Sequence, residues 1–135
     1  MSVFADTSGF YAWLVRSETA HKRVAAAFED VLRRGRPVWT TSFVVVETMA
    51  LLQHRVGLEA ARGFDEDVLP AIRVQWMDDA LYRQGADCLW RANRRQLSLV
   101  DCVSFAFMKQ QGLTTAIALD PHFEDAGFDL LPGDD

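Results

Sequence analysis

The amino-acid sequence predicts an α/β protein, a three-layer α/β/α sandwich built around a mainly parallel central sheet. Short apolar runs typical of strands alternate along its 135 residues with longer runs that have helical spacing. Half of the residues are hydrophobic (50%) and 24% are charged, which is typical of a globular domain and excludes a disordered or fibrous chain. Such an alternation favours parallel strands joined by helices.

The first elements are a strand, a helix and a second strand. Residues 2–5 form the first predicted strand, which ends at Asp6 and a Thr-Ser-Gly turn. A helix is expected to have Ser17 as its cap and to end at Gly35, since serine is a good N-cap and glycine a good terminator. The second strand covers residues 37–40.

The remaining elements continue the alternation. Ser42 caps an apolar helix, and a further helix over residues 58–71 is loosened near Gly63. Ser98 and Asp101 form a capping-box pattern at the start of another helix. The other predicted elements are a strand at 73–77, a helix at 80–95 capped by Asp78 or Asp79, a strand at 114–119 and an edge strand at 128–131.

A single domain is predicted over residues 1–132, with a frayed tail at 133–135. No apolar run approaches the roughly 20 residues that span a bilayer, and no export signal is visible. Cys88 and Cys102 lack CxxC spacing and are interpreted as free, buried thiols in a reducing compartment, so a cytoplasmic protein without membrane contact is expected. The net charge of −5 argues against binding nucleic acid through bulk charge, but not against a local site.

Four carboxylates stand in apolar surroundings. Asp6 and Asp120 end the first and the last core strand, so parallel strands would bring both to the same rim of the sheet. Glu47 and Asp101 each interrupt an apolar helix, and Ser104 lies one turn beyond Asp101 on the same face. Buried carboxylates need a partner, and these have no basic residue close in sequence. A divalent-cation site explains the four acids better than four separate ion pairs.

A cluster of Asp and Glu without histidine or cysteine suits Mg²⁺, and a metal held in this way can activate water for attack on a phosphoryl group. Three of the four acids also have a purely structural interpretation. Asp6 and Asp120 could be turn or helix-capping residues, and Asp101 could be only the partner of Ser98 in the capping box. Glu47 has no capping role to explain it, so the prediction of a metal site rests on the four acids taken together.

The motifs around these acids resemble the PIN domain, and in particular the VapC-like toxins of toxin–antitoxin pairs. The similarity covers Asp6-Thr7-Ser8, Glu47, Ser98 to Ala106 and Ala118 to Phe123, in order along the whole chain. One departure is Ala118-Leu119, where the family more often has a Thr-containing pair. The resemblance implies a parallel α/β/α sheet and a Mg²⁺- or Mn²⁺-dependent endoribonuclease.

The resemblance also assigns roles to residues and partners. It implies that Asp6, Glu47, Asp101 and Asp120 form the catalytic and metal-binding cluster, with Thr7, Ser8 and Ser104 as supporting hydrogen-bonding residues. It implies homodimers or larger toxin–antitoxin assemblies, and inhibition by a small antitoxin. Phe10, Trp13 and Leu14 could anchor such a partner or could equally be core residues.

Arg91, Arg94 and Arg95 form a basic cluster that could contact RNA or an acidic partner, or could be solvated helix ends. His122 could face the site or pack against Phe123. Two other functions are alternatives: a PIN-like module that binds RNA or protein without catalysis, and a phosphate-accepting receiver-like domain. Only Lys22 and Lys109 are available as lysines, and both lie in predicted helices, which disfavours the receiver-like domain.

Overall fold

Five parallel strands form one central sheet in the computed structural model, which describes residues 1–133. The strands are β1 (Val3–Ala5), β2 (Val38–Thr41), β3 (Arg73–Gln75), β4 (Thr115–Ile117) and β5 (Asp129–Leu131). Their order across the sheet is β3-β2-β1-β4-β5, and every neighbouring pair is parallel. In this register Phe4 of β1 lies opposite Trp39 of β2 and Ala116 of β4. The predicted parallel α/β class is confirmed.

Seven α-helices connect and follow the strands within residues 1–133. They are α1 (Thr7–Leu14), α2 (His21–Arg33), α3 (Ser42–Arg55), α4 (Leu58–Gly63), α5 (Asp79–Ala92), α6 (Leu99–Gln111) and α7 (Pro121–Asp125). After α4 the chain continues through a π-helical turn at Phe64–Val68 and a 3₁₀ turn at Leu69–Ala71. The predicted loosening near Gly63 is therefore confirmed, and the helical path ends at Ala71 as predicted.

The strand order reverses at β1. The chain moves from β1 outward to β2 and β3, then returns across β1 to β4 and β5. Because parallel crossovers are right-handed, this reversal places α1 to α4 on one face of the sheet and α5 and α6 on the other. Ligand sites in such sheets lie beyond the carboxyl ends of the strands at the reversal point, here between β1 and β4.

Two clusters of aromatic side chains fill the core. On one side, Phe10 packs against Phe28 and Phe64, with ring centroids 5.5 and 5.2 Å apart. On the other, Phe4 contacts Phe107 and Phe123, with centroids 6.0 and 6.2 Å apart. Phe10 is fully buried and is therefore a core residue, so the alternative interpretation of Phe10 as an exposed partner anchor is wrong.

Several helix boundaries differ from the prediction. The Thr-Ser-Gly segment after Asp6 is the first turn of α1, not an isolated turn. The helix assigned to Ser17 begins at His21. The helix predicted to reach residue 95 ends at Ala92, because Asn93 adopts a left-handed conformation that terminates it. Thr41 caps α3 in place of Ser42, whose hydroxyl accepts a hydrogen bond from the Met77 amide (2.8 Å).

At the carboxyl terminus of the described residues, the Gly133 carbonyl accepts a hydrogen bond from Arg23 (2.8 Å). Asp134 and Asp135, the rest of the predicted tail, lie outside the described residues. The two cysteines are free thiols as predicted, and Cys102 is buried, whereas Cys88 is only half-buried. In residues 1–133, no helix combines the length and apolarity that crossing a bilayer requires.

Candidate functional site

Asp6 lies directly after β1, at the point where the strand order reverses. It is 4% exposed and serves as the N-cap of α1, accepting a hydrogen bond from the Ser8 amide (3.3 Å). Its own amide donates to the Ile117 carbonyl of β4 (3.1 Å). The capping interpretation of Asp6 is therefore confirmed, and the same residue still directs a carboxylate to the rim of the sheet.

Ser8 connects the ends of β1 and β4. Its hydroxyl donates to the Asp6 carboxylate (2.9 Å) and accepts a hydrogen bond from the Leu119 amide (2.9 Å). At Gly9, a Cβ would collide with the Ile117 carbonyl, so only glycine lets α1 approach β4 this closely. Thr7 lies beside them and its hydroxyl oxygen is 3.5 Å from that of Thr48. The chain has Ala118-Leu119 where the family more often has a Thr-containing pair, and here the hydroxyl beside Leu119 is that of Ser8.

Asp101 lies in the first turn of α6, which reaches the same rim from the other face of the sheet. Its carboxylate accepts a hydrogen bond from the Ser98 amide (3.4 Å), and its amide donates to the Ser98 hydroxyl (3.0 Å), which is the predicted capping box. The residue is 8% exposed. The Ser104 hydroxyl is fully buried and donates to the Val100 carbonyl (2.9 Å), so it supports α6 rather than an acid of the site.

Asp120 follows β4 and caps α7 by accepting a hydrogen bond from the His122 amide (2.9 Å). The imidazole of His122 turns back toward the acids: its Nδ1 is 3.1 Å from a carboxylate oxygen of Asp120 and 3.6 Å from one of Asp101. This nitrogen is buried and has no well-aligned hydrogen-bond partner among the described residues. His122 therefore faces the site, and Phe123 enters the core instead.

Glu47 projects from α3 toward the same region, but its environment differs from the prediction. The apolar run around it suggested a buried acid, whereas Glu47 is exposed and the preceding Val46 is 64% exposed. The run is apolar on more than one face, and only Val44, Val45, Thr48 and Leu52 of its central part are buried.

A cavity of about 340 Å³ joins the four predicted acids, together with Thr7 and Ser8. Ser104 is not among the residues that line it. Four further lining residues were not predicted from the sequence: Tyr11, Glu18, Leu51 and Arg55. Tyr11 is one helical turn from Ser8, and Arg55 is two turns from Glu47, so helical spacing was the available signal. In the described chain, Arg55 is the only basic side chain lining the cavity.

Burial and like charge raise the affinity of Asp6 and Asp101 for protons. Burial raises the pKa of Asp6 from 3.8 to about 7, the Ser8 hydroxyl opposes this shift, and the charge of Asp101 adds to it. Burial also raises the pKa of Asp101, and the neighbouring charge of Asp120 contributes. The acids thus repel one another in a row from Asp6 through Asp101 to Asp120.

The residues present suit a divalent cation. Asp101, Asp120 and His122 each offer a ligand atom, and these atoms lie within 4.8 Å of one another. The buried, unpartnered Nδ1 of His122 is a further sign, because a buried donor or acceptor normally has a partner. Carboxylate oxygens are ligands for Mg²⁺ and Mn²⁺, and an imidazole nitrogen suits transition metals better than Mg²⁺.

The structure does not bring Arg91, Arg94 and Arg95 into the acidic cavity. All three are exposed near the end of α5. Arg94 lines a neighbouring cavity of about 200 Å³ together with Lys109 and His122, so the basic cluster borders the site on the His122 side.

Comparison with known proteins finds similarity to PIN domains along nearly the whole chain. The family model for the PIN domain matches residues 3–129. The 23S rRNA-specific endonuclease VapC20 of Mycobacterium tuberculosis is 34% identical over 130 residues, covering 93% of this chain and 95% of that protein. The crystal structure of VapC20, described as a Sarcin-Ricin loop cleaving toxin, superposes with a TM-score of 0.82 at 32% identity, covering 94% of this chain and 96% of that one. The crystal structure of FitAcB from Neisseria gonorrhoeae shares the fold, with a TM-score of 0.69, 18% identity and 95% of each chain covered.

Proposed function

Because the chain belongs to the PIN domain family, we propose that it is a metal-dependent endoribonuclease and the toxin of a toxin–antitoxin pair. The observation that carries this proposal is the convergence of Asp6, Asp101, Asp120 and Glu47 on one cavity at the point where the strand order reverses. Similarity to an rRNA endonuclease over nearly the whole chain supports the same activity.

In this proposal Asp6, Asp101 and Asp120 hold the metal, Glu47 completes the acidic cluster from the exposed side, and the ion is Mg²⁺ or Mn²⁺. A bound cation of this kind lowers the pKa of a water ligand and neutralises charge on a phosphoryl group. The protein's own contribution is to fix the acids: Ser8 orients Asp6, and the capping box with Ser98 orients Asp101. Both acids accept hydrogen bonds that hold their carboxylates in place before RNA arrives.

The proposed substrate is RNA, with 23S rRNA as the first candidate because VapC20 acts on it. Arg91, Arg94 and Arg95 contribute phosphate contacts beside the site. Their position supports this role, since Arg94 and His122 line one cavity while His122 also faces the acids. The proposal places this activity in the cytoplasm, where the RNA is.

The proposed partners are a small antitoxin and a second copy of the chain. An antitoxin arginine inserted among the carboxylates would pair with them in place of the cation. Self-association would cover Val46 and Trp76, which are 64% and 65% exposed. These side chains belong to neighbouring segments, because Ser42 at the start of α3 accepts the hydrogen bond from Met77.

The proposal is tested by incubating the purified chain with ribosomes, 23S rRNA and unrelated RNA, with Mg²⁺, Mn²⁺ or a chelator, and mapping new ends by primer extension. Cleavage is expected only with a divalent cation. Asp6→Asn and Asp101→Asn keep shape and capping but remove ligand charge. Each should lower cleavage by at least about a hundredfold, since changing even a residue that hydrogen-bonds to a metal ligand costs roughly 10–100-fold.

Glu59→Gln is the matched control, because Glu59 is exposed on α4 and lines neither the acidic cavity nor the cavity of Arg94 and His122. This variant should cleave at the wild-type rate. Cleavage that persists in the chelator, or in the Asp101→Asn variant, would contradict the proposal. RNA binding without cleavage under any of these conditions would favour the non-catalytic binding module instead.

A further inference from the structure

Arg55 is a positive charge inside an otherwise acidic cavity. The cavity is lined by five carboxylates (Asp6, Glu18, Glu47, Asp101 and Asp120), with Arg55 as the one basic lining residue in the described chain. An RNA strand must bring several phosphates through this cavity, and the surrounding carboxylates repel them. A cation fixed in the wall therefore affects substrate binding directly.

Helix α3 and helix α1 hold Arg55 in this position together. Glu47, Leu51 and Arg55 are spaced four residues apart, so they form one stripe of α3 along the cavity. The guanidinium of Arg55 lies over the ring of Tyr11, 5.7 Å from its centroid. Tyr11 in turn lies one turn beyond Ser8, which is bound to Asp6. The contact between Arg55 and Tyr11 therefore links the guanidinium to α1, the helix that Asp6 caps.

The donors of Arg55 are not used by the neighbouring acids. Among residues 1–133, Arg55 forms no ion pair within 4.0 Å, although Glu18 and Glu47 line the same cavity. A guanidinium stacked on an aromatic ring keeps its edge and all of its N–H donors available. That edge suits the paired oxygens of a phosphate better than a lysine ammonium would.

We propose that Arg55, oriented by Tyr11, binds a backbone phosphate of the RNA adjacent to the scissile one and so positions the strand over the acids. This inference rests on the proposed ribonuclease function and adds a substrate contact to it. Arg55 binds substrate, and Tyr11 is a positioning residue that acts through Arg55.

The test measures binding of a labelled single-stranded RNA by fluorescence anisotropy over a series of salt concentrations, with Asp101→Asn as the inactive background. Arg55→Ala should weaken binding by about tenfold or more, as expected for a charge-assisted hydrogen bond. Loss of one phosphate contact should also reduce the slope of log affinity against log salt by about 0.7. Arg55→Lys should keep the slope but bind more weakly, and Tyr11→Leu should weaken binding less than Arg55→Ala.

Arg83→Ala is the matched control. Arg83 also stacks on a tyrosine, with its guanidinium 5.4 Å from the Tyr82 centroid, but neither residue lines the acidic cavity. The Arg83→Ala variant loses one positive charge from α5, as Arg55→Ala does from α3, and should leave both the RNA affinity and its salt dependence unchanged. In the otherwise wild-type enzyme, Arg55→Ala should raise KM for RNA cleavage, while Arg83→Ala should not.

The outcomes separate this inference from the proposed function. If the wild type cleaves RNA with a divalent cation but Arg55→Ala binds and cleaves like the wild type, the inference is wrong and the ribonuclease function stands. Equal losses in Arg55→Ala and Arg83→Ala would also overturn it, because they would reflect overall charge. If the wild type neither binds nor cleaves RNA, the proposed function fails and takes this inference with it.

Discussion

The surroundings of Asp6 disfavour its ionised form. The residue is nearly inaccessible to solvent, lies near the charge of Asp101, and has only the Ser8 hydroxyl and local amides to stabilise its ionised form. A tenfold change in proton affinity between the unfolded and native states corresponds to about 1.4 kcal/mol. Keeping Asp6 ionised at neutral pH therefore costs the metal-free native state a few kcal/mol, a cost that a bound cation offsets.

The raised pKa of Asp6 predicts how stability depends on pH. Because this pKa rises from 3.8 to about 7 on folding, the native state holds more protons than the unfolded state between these values. The free energy of unfolding of the metal-free protein should therefore fall as pH rises from about 4 to 7, and Asp101 should add to the effect. Chemical denaturation in chelator across this range measures it.

Asp6→Asn isolates the contribution of this one carboxyl. The amide retains the capping oxygen but cannot ionise, so the variant should be more stable than the wild type at pH 7 and should show a shallower pH dependence. Glu59→Gln serves again as the exposed control and should follow the wild-type curve. An Asp6→Asn curve parallel to that of the wild type would show that Asp6 does not titrate in this range.

At the scale of elements, the contact between α5 and α6 decides where Asp101 lies. A Cβ at Gly85 of α5 would collide with the side chain of Val103 and press on its backbone in α6. Val103 is two residues beyond Asp101, in the helix whose first turn carries the capping box. The absence of a side chain at Gly85 is therefore part of what places the acid at the cavity.

Gly85→Ala should destabilise the protein by about 1–3 kcal/mol, the usual cost of overpacking. It should also lower RNA cleavage, because α6 must shift to relieve the collision. Gly63→Ala is the control within another helix: a Cβ there meets only the Asp67 carboxylate at 3.9 Å. It should be neutral or stabilising by up to about 1 kcal/mol. Equal unfolding midpoints for the two variants in urea would contradict this account.

At the scale of the whole molecule, the acids come from separate parts of the chain and meet only in the folded state. Asp6 follows β1, Asp101 begins α6 and Asp120 follows β4, so two faces and the rim of the sheet contribute to one cavity. Because the unfolded chain does not assemble this set, a cation that binds the cavity stabilises the fold as a unit.

Metal binding should therefore raise the thermal midpoint of the wild type. A cation at ten times its Kd adds about 1.4 kcal/mol to stability, which corresponds to about 5 °C for a chain of this size. Differential scanning fluorimetry with Mn²⁺ and Mg²⁺, at constant ionic strength, measures the shift. Asp101→Asn should lose most of it, whereas Glu59→Gln, an exposed substitution on α4, should retain it. No shift at millimolar Mn²⁺ would count against the metal site.

Features of the chain that depend on nearby residues could be predicted from the sequence. The alternation of apolar runs predicted the parallel sheet, and Ser98 with Asp101 predicted the start of α6, because a capping box is formed by residues three apart. Asp6 and Asp120 were placed at one rim for a similarly local reason: each ends a strand. The short helix α1 was missed because its first turn, Thr-Ser-Gly, is also typical of a simple turn.

Which side chains face the cavity was decided by the tertiary structure. The apolar run of α3 shows little periodicity, so it does not reveal that Glu47 is exposed. Helical spacing places Arg55 on the same face as Glu47, but only the packing of α3 turns that face toward the acids. The approach of His122 Nδ1 to Asp101 joins residues from α7 and α6, and the stack of Arg55 on Tyr11 joins α3 to α1. Such contacts depend on how helices rotate and cross when they pack on the sheet. That geometry is set by the fit of buried side chains from distant segments, and a local pattern does not encode it.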